Sequence, residues 1–401
     1  MTGMRARGKR LWRVVLVLAA TVALVTWLAW WATPYVNSAA LLMDMTGAAP
    51  GARQWLPVRV LEISAQDLVV PTRHGDVPAR LYRASSSSGA AGPTLVIFPG
   101  VHGGGVDEPR LVALSRRIAA AGATVLSVPL PDLRRYHVTP RSTDMIEDVT
   151  LWAAADHDLA PQGRVGMVGV SFAGGLALVA AGRPSLATKL TAAFALGAHA
   201  DLPQVIRYLC LADGAPKTLA PPHDYGVVLM LRSSVAKLVP ADQVASLDAA
   251  IVTFLDASSA ETMDKAQSAR LFAEARAAEL TLAEPSRTLM HGVNERDVRA
   301  LGRILAPLAE DIGGAAALSP ARSPATRVPV FLLHGADDNV IPSSESTELA
   351  RYLTESDNTQ VDLLLTPLLS HAAAKPAAGT GDLWRLVSFW TRLWKGLEST
   401  R

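Results

Sequence analysis

Cys210 is the only cysteine in the 401 residues. A single thiol cannot close an intramolecular disulfide, form a C-x-x-C redox pair or build a thiolate zinc cage. An oxidising compartment is therefore permitted but not required, and Cys210, within residues 205–211, reads as a small buried hydrophobe. Charge of one sign is also scarce: 38 Lys and Arg face 36 Asp and Glu, a net of +2. Part of that excess sits at the N-terminus, so there is no electrostatic basis for a nucleic-acid partner. The run Gly103-Gly104-Gly105 is not followed by G-K-[ST], and no helical pattern begins at the glycines. Both facts argue against a nucleotide phosphate cradle. No internal repeat is visible.

Long uncharged apolar runs are confined to residues 14–32, which follow Arg5, Arg7, Lys9, Arg10 and Arg13 and end among Trp27, Trp30 and Trp31. A run close to the ~20 residues of a membrane span, with interfacial tryptophans, predicts a transmembrane signal anchor over residues 1–35. The next basic residue is Arg53, so the positive-inside rule places the remainder on the extracytoplasmic side of the cell membrane. The alternative is secretion after signal-peptide cleavage; the length of the run, beyond the usual ~7–15 residues, and the following Pro34-Tyr35 favour the anchor. Residues 36–57, broken by Gly47, Pro50 and Gly51, read as a linker.

From residue 58 the chain alternates apolar and polar residues around His74-Gly75-Asp76, the signature of an antiparallel hairpin over 58–70 and 77–83. Residues 84–93 are a Ser, Gly and Ala surface loop. Continuous apolar runs at 94–98, 124–128, 164–169 and 191–196, with helical patterns at 108–121 and 143–155, predict a mostly parallel sheet flanked by helices. The alternation then stops. Residues 202–325 carry helix-period stripes, such as Val244, Leu247, Ile251 and Phe254, or Val298, Leu301, Leu305 and Leu308, and no buried strand. They are expected to form a helical cap insertion whose stripes either pack the cap or line an apolar acyl pocket. It ends in the Pro-bearing run 319–324, read as a hinge or linker. Strands at 328–333 and 361–366 and helices at 343–353 and 382–397 resume the core. The organisation expected is thus tail and anchor (1–35), linker (36–57), core (58–201), cap (202–325) and core again (326–401).

Three residues at predicted strand ends carry chemistry. Ser171 lies in Gly169-Val170-Ser171-Phe172-Ala173, between the strand at 164–169 and a small-residue helix, a strand-to-helix corner that presents its hydroxyl above the sheet edge. The final position of G-x-S-x-G is Ala173 here. After the resumed strand comes His334-Gly335-Ala336-Asp337-Asp338-Asn339-Val340-Ile341-Pro342, and after the last strand Ser370-His371.

This chain order Ser, Asp, His, with Gly335, Asp338, Ile341 and Pro342 meeting G-x-x-D-x-x-[IV]-P, resembles the α/β-hydrolase family over residues 58–397, most of all its bacterial esterase and dienelactone-hydrolase-like members. The latter commonly carry a cysteine in place of Ser171. The resemblance implies an α/β-hydrolase fold and acyl transfer with Ser171 as nucleophile, His371 as base and Asp338 orienting it. Asp337 is off the family spacing and reads as a turn carboxylate. His334 reads as structural, and His199 and Asp201 as shaping the cap entry. The oxyanion hole is expected from the Phe172 amide and from Val101 or His102, after Gly100. A small-molecule ester, possibly lipophilic, is the expected substrate, with no metal and no cofactor. A peptidase or acyltransferase on the same triad, or a non-catalytic envelope scaffold, are the alternatives.

Overall fold

A computed structural model describes residues 2–46, 62–84, 92–211, 221–261, 263–358, 360–370 and 379–398. The chain divides into two units, Met1–Val60 and Leu61–Arg401.

The first unit is a helix, Thr2–Thr46, that continues through Pro34. The linker expected over 36–57 is therefore helical as far as Thr46, and its remainder lies outside the described residues. Among the described residues no helix is long and apolar enough to cross a membrane. The transmembrane helix expected over 14–32 is thus not supported: the side chains of 14–17, Val25 and Trp30 fall outside the description, and the described apolar positions do not reach the ~20 consecutive residues that a span needs. Membrane association through this helix is likewise not supported, and extracytoplasmic placement is an expectation from the basic residues 5–13 and the uncharged run 14–32.

The second unit is built on an eight-stranded sheet in the order β1-β2-β4-β3-β5-β6-β7-β8, which fits an α/β-hydrolase fold. Strands β1 (Ile63–Val70) and β2 (Val77–Ala84) form an antiparallel hairpin, with Val70 paired to Val77. β2 meets β4 (Thr124–Ser127) antiparallel. All remaining pairs are parallel, through β3 (Thr94–Phe98), β5 (Val165–Val170), β6 (Leu190–Leu196), β7 (Val330–Gly335) and β8 (Val361–Thr366). Composition explains the layering. β3, with TLVIF, is buried at every position, as a strand covered on both faces must be, whereas β1 is exposed along most of its length at the sheet edge. The helix Phe172–Ala181 has all ten residues buried. After Phe172 it is made of small and aliphatic residues that permit close approach to the sheet.

Between β6 and β7 the described residues form only helices, from Leu202–Leu209 to short turns at Ala316–Leu318 and Pro320–Arg322. Their apolar stripes pack on neighbouring helices of the insertion. Leu247, Ile251, Phe254, Leu301 and Leu305 are buried, and Phe254 meets Phe272 edge-on at 5.3 Å. The Arg296 guanidinium lies 5.7 Å from the Phe254 ring centroid and 5.1 Å from that of Phe272. These contacts are those of internal packing. The run 319–324 is no exposed hinge: Leu318, Ser319 and Pro320 are buried, Ser319 Oγ accepts from the Leu202 N–H at 2.9 Å, and the Ala321 N–H donates to the Ala200 carbonyl at 3.0 Å.

Candidate active site

Ser171 has φ 58° and ψ −133°, a left-handed φ that costs a residue with a Cβ about 1–3 kcal/mol. Its surroundings over-determine it. The Ser171 N–H donates to the Leu196 carbonyl of β6 at 2.7 Å, and the Gly174 N–H donates to the Ser171 carbonyl at 2.8 Å. At Gly169 a Cβ would lie 2.6 Å from both the Ala173 carbonyl oxygen and the Gly174 Cα, so the strand can pass under the helix only as glycine. Ala173 is fully buried at that crossing, which accounts for the small residue there.

The loop after β3 backs onto this corner. A Cβ at Gly100 would sit 2.9 Å from the Ser171 Cβ and 3.2 Å from the Val170 carbonyl oxygen. Among the described residues the amides of Phe172, Val101 and His102 make no hydrogen bond. The His102 Nδ1 accepts from the Gly104 N–H at 2.9 Å. In the neutral ring the proton is then on Nε2, which is buried without a hydrogen-bond partner, and burial lowers the ring's pKa. His102 is thus a neutral imidazole whose accepting nitrogen is already occupied. The glycine run leads into a short turn, Gly105–Asp107, and the next helix begins only at Pro109.

Asp338 lies in the turn after β7, one strand beyond β6 from the serine corner. It is 4 % exposed, while Asp337 is exposed. Asp338 Oδ1 accepts the N–H groups of Val340 and Ile341 at 2.9 and 3.0 Å, which fixes the carboxylate, and a Cβ at Gly197 would lie 3.6 Å from Oδ2. His334 is fully buried. Its Nδ1 is 2.6 Å from Ser346 Oγ, and its Nε2 is 2.9 Å from the Ile341 carbonyl and 3.4 Å from Asp338 Oδ2. Both ring nitrogens are engaged in the turn, so His334 has none left for Ser171. His371 lies outside the described residues. The chain leading to it packs on the same turn, since a Cβ at Gly335 would meet the Leu369 carbonyl oxygen at 2.6 Å.

His199 packs its ring against Phe172, at 5.8 Å between centroids, but its polar side-chain contact and that of Asp201 belong to the insertion. His199 is fully buried, its Nε2 is 2.7 Å from the Leu318 carbonyl, and burial lowers its pKa to about 4. Asp201 Oδ2 accepts from Arg322 Nε at 2.8 Å. Both tie the entry of the insertion to its exit.

Sequence reasoning missed four polar residues around the loop after β3. Tyr136 is buried, has φ 61°, and donates to Asp256 Oδ1 at 2.6 Å. Ser259 Oγ is 3.1 Å from the Tyr136 hydroxyl, and the Tyr225 hydroxyl donates to the Val101 carbonyl at 3.3 Å. No periodicity marks these residues; only the docking of the insertion brings them together. Among the described residues no His, Cys, Asp and Glu group is arranged to hold a metal ion.

No protein-family model matches the chain, and no curated protein does. Among solved structures, a bacterial heroin esterase is 16 % identical, over 88 % of this chain and 90 % of that one, with a TM-score of 0.49. EstE1, a thermostable carboxylesterase cloned from a metagenomic library, is 15 % identical over 85 % and 92 % with a TM-score of 0.47. An acylaminoacyl peptidase of Pyrococcus horikoshii is 11 % identical over 83 % of this chain and 41 % of that one, at 0.44. The fold assignment rests on the strand order and not on these likenesses.

Proposed function

We propose that the chain is a serine hydrolase that cleaves carboxylic esters through an acyl-enzyme. The observation that carries the reading is the Ser171 corner: a serine held at φ 58° between a buried strand and a helix N-terminus, with Gly100 pressed against its Cβ. A serine is a weak nucleophile at its own pKa, so a base must take its proton during attack. His371 is the residue for that role. Adjacent strands lie ~4.8 Å apart, so β5 and β7 stand about 10 Å from one another. Once the two side chains extend inward, that gap suits an imidazole hydrogen-bonded at both nitrogens. Asp338 would hold one nitrogen and stabilise the imidazolium; its burial and its two backbone donors support this role over Asp337.

In the proposed cycle the Ser171 oxygen attacks the ester carbonyl as His371 accepts its proton. The tetrahedral oxyanion is held by the Phe172 amide and by Val101 or His102, and the proton passes to the departing alcohol. Water then repeats the sequence on the acyl-enzyme, releasing the acid and restoring Ser171.

A panel of p-nitrophenyl esters and matching anilides tests the reaction class on the full chain. Turnover of esters well above anilides, lost in Ser171→Ala, is the expected result. Faster anilide cleavage would favour a peptidase, and turnover equal in the variant would end the serine mechanism.

A further inference from the structure

We propose that Tyr225 is a positioning residue for the oxyanion hole, through which the helical insertion sets the orientation of the Val101–His102 peptide. This rests on the serine-hydrolase reading. The loop after β3 has Gly100 where it touches the serine and three further glycines at 103–105. Glycine permits the close approach but gives the backbone no stiffness of its own. An oxyanion hole acts only if its donors are already oriented when charge develops. The bond from the Gly104 N–H to His102 Nδ1 closes the far part of the loop, so a restraint on the Val101 carbonyl has to come from outside it.

The insertion supplies a contact at the right atom. Tyr225 lies in the first turn of the helix Asp224–Leu238, and its hydroxyl donates to the Val101 carbonyl at 3.3 Å. In a planar trans peptide the carbonyl and the following N–H point in opposite directions. Holding the Val101 carbonyl toward the insertion therefore turns the His102 N–H away from it and fixes ψ of Val101.

A second contact holds the far half of the loop. Tyr136 hydrogen-bonds to Asp256 at 2.6 Å and lies 3.1 Å from Ser259, both on the helix Ala241–Ala260. A Cβ at Gly103 would come within 3.1 Å of the Tyr136 hydroxyl and 3.3 Å of Asp256 Oδ1, so the second half of the loop rests on the same cluster. Tyr136 keeps its left-handed φ of 61° while bound to that helix, as expected for a residue over-determined by its surroundings. The insertion thus grips the loop at Val101 and Gly103.

The test is Tyr225→Phe in the full chain, which keeps the ring and removes the hydroxyl. On a p-nitrophenyl ester kcat should fall about tenfold, the size of one ordinary hydrogen bond expressed in the barrier, with KM changed less than about twofold. Amide hydrogen exchange should accelerate in peptides covering residues 99–105 and stay unchanged in β3. Unaltered loop exchange, a loss confined to KM, or faster exchange throughout the sheet would each overturn the proposal. If the unmodified chain turns over no ester, the hydrolase reading fails, and the catalytic proposal with it; exchange still decides whether Tyr225 restrains the loop.

Discussion

The two sides of the candidate site face the same position but are built by different means. The serine side belongs wholly to the core: β5, the corner and the buried helix Phe172–Ala181 are consecutive in sequence, and Ser171 is locked by bonds to β6 and to its own helix. The Val101 side is a glycine-rich loop held by Tyr225, 124 positions further along on the insertion. The proposed nucleophile is thus held within the core, whereas the proposed oxyanion loop depends on docking of the insertion. Changes in the core should accordingly act on chemistry, and changes deep in the insertion on stability.

The sharpest way to break this contrast is the acidic pair after β7. Asp338→Asn keeps an oxygen that can accept from Val340 and Ile341 but cannot hold a charged imidazole, and should lower kcat by about 10³-fold or more. Asp337→Asn, at an exposed position, should stay within about twofold. Equal losses in steady-state kinetics would contradict the assignment.

Within the insertion, Phe254→Ala empties a site that is 1 % exposed and flanked by Phe272 and Arg296. Urea unfolding should show a loss of about 3 kcal/mol, with the acyl-length dependence of hydrolysis retained. A loss under about 1 kcal/mol with that dependence flattened would restore the acyl-pocket role for the stripe.

The smallest effect concerns His199, whose folded pKa of about 4 lies below the ordinary 6.5 because of burial. The unfolded chain binds a proton there that the folded chain refuses, so this contribution to stability falls as pH drops from 6.5 toward 4. About 1.5 kcal/mol should be lost between pH 6.5 and about pH 5, and a His199→Gln chain should lose less over the same interval. Parallel pH profiles would place the proton elsewhere.

Much of the core was legible because buried strands and tight corners are local. The apolar runs at 94–98 and 361–366 matched β3 and β8, and Ser171, Asp338 and the chain entering His371 follow predicted strands. Apolar periodicity also marked Phe254 and Leu301 as inward-facing. It could not tell which element each would face, so the stripes admitted both packing within the cap and an acyl pocket. Tyr225 and Asp256 carry no pattern of their own, since a single hydroxyl meeting a distant carbonyl leaves no periodic trace. The run 319–324 looked like a linker from its prolines, yet its Ala321 N–H and Ser323 carbonyl are bonded to Ala200 and Tyr352.

The most direct test of the central claim is mass-spectrometric mapping of a fluorophosphonate adduct on the full chain. A single phosphonylated peptide is expected, with the modification on Ser171 and no adduct in a folded Ser171→Ala chain. An adduct on another residue, or labelling that survives in Ser171→Ala, would contradict it.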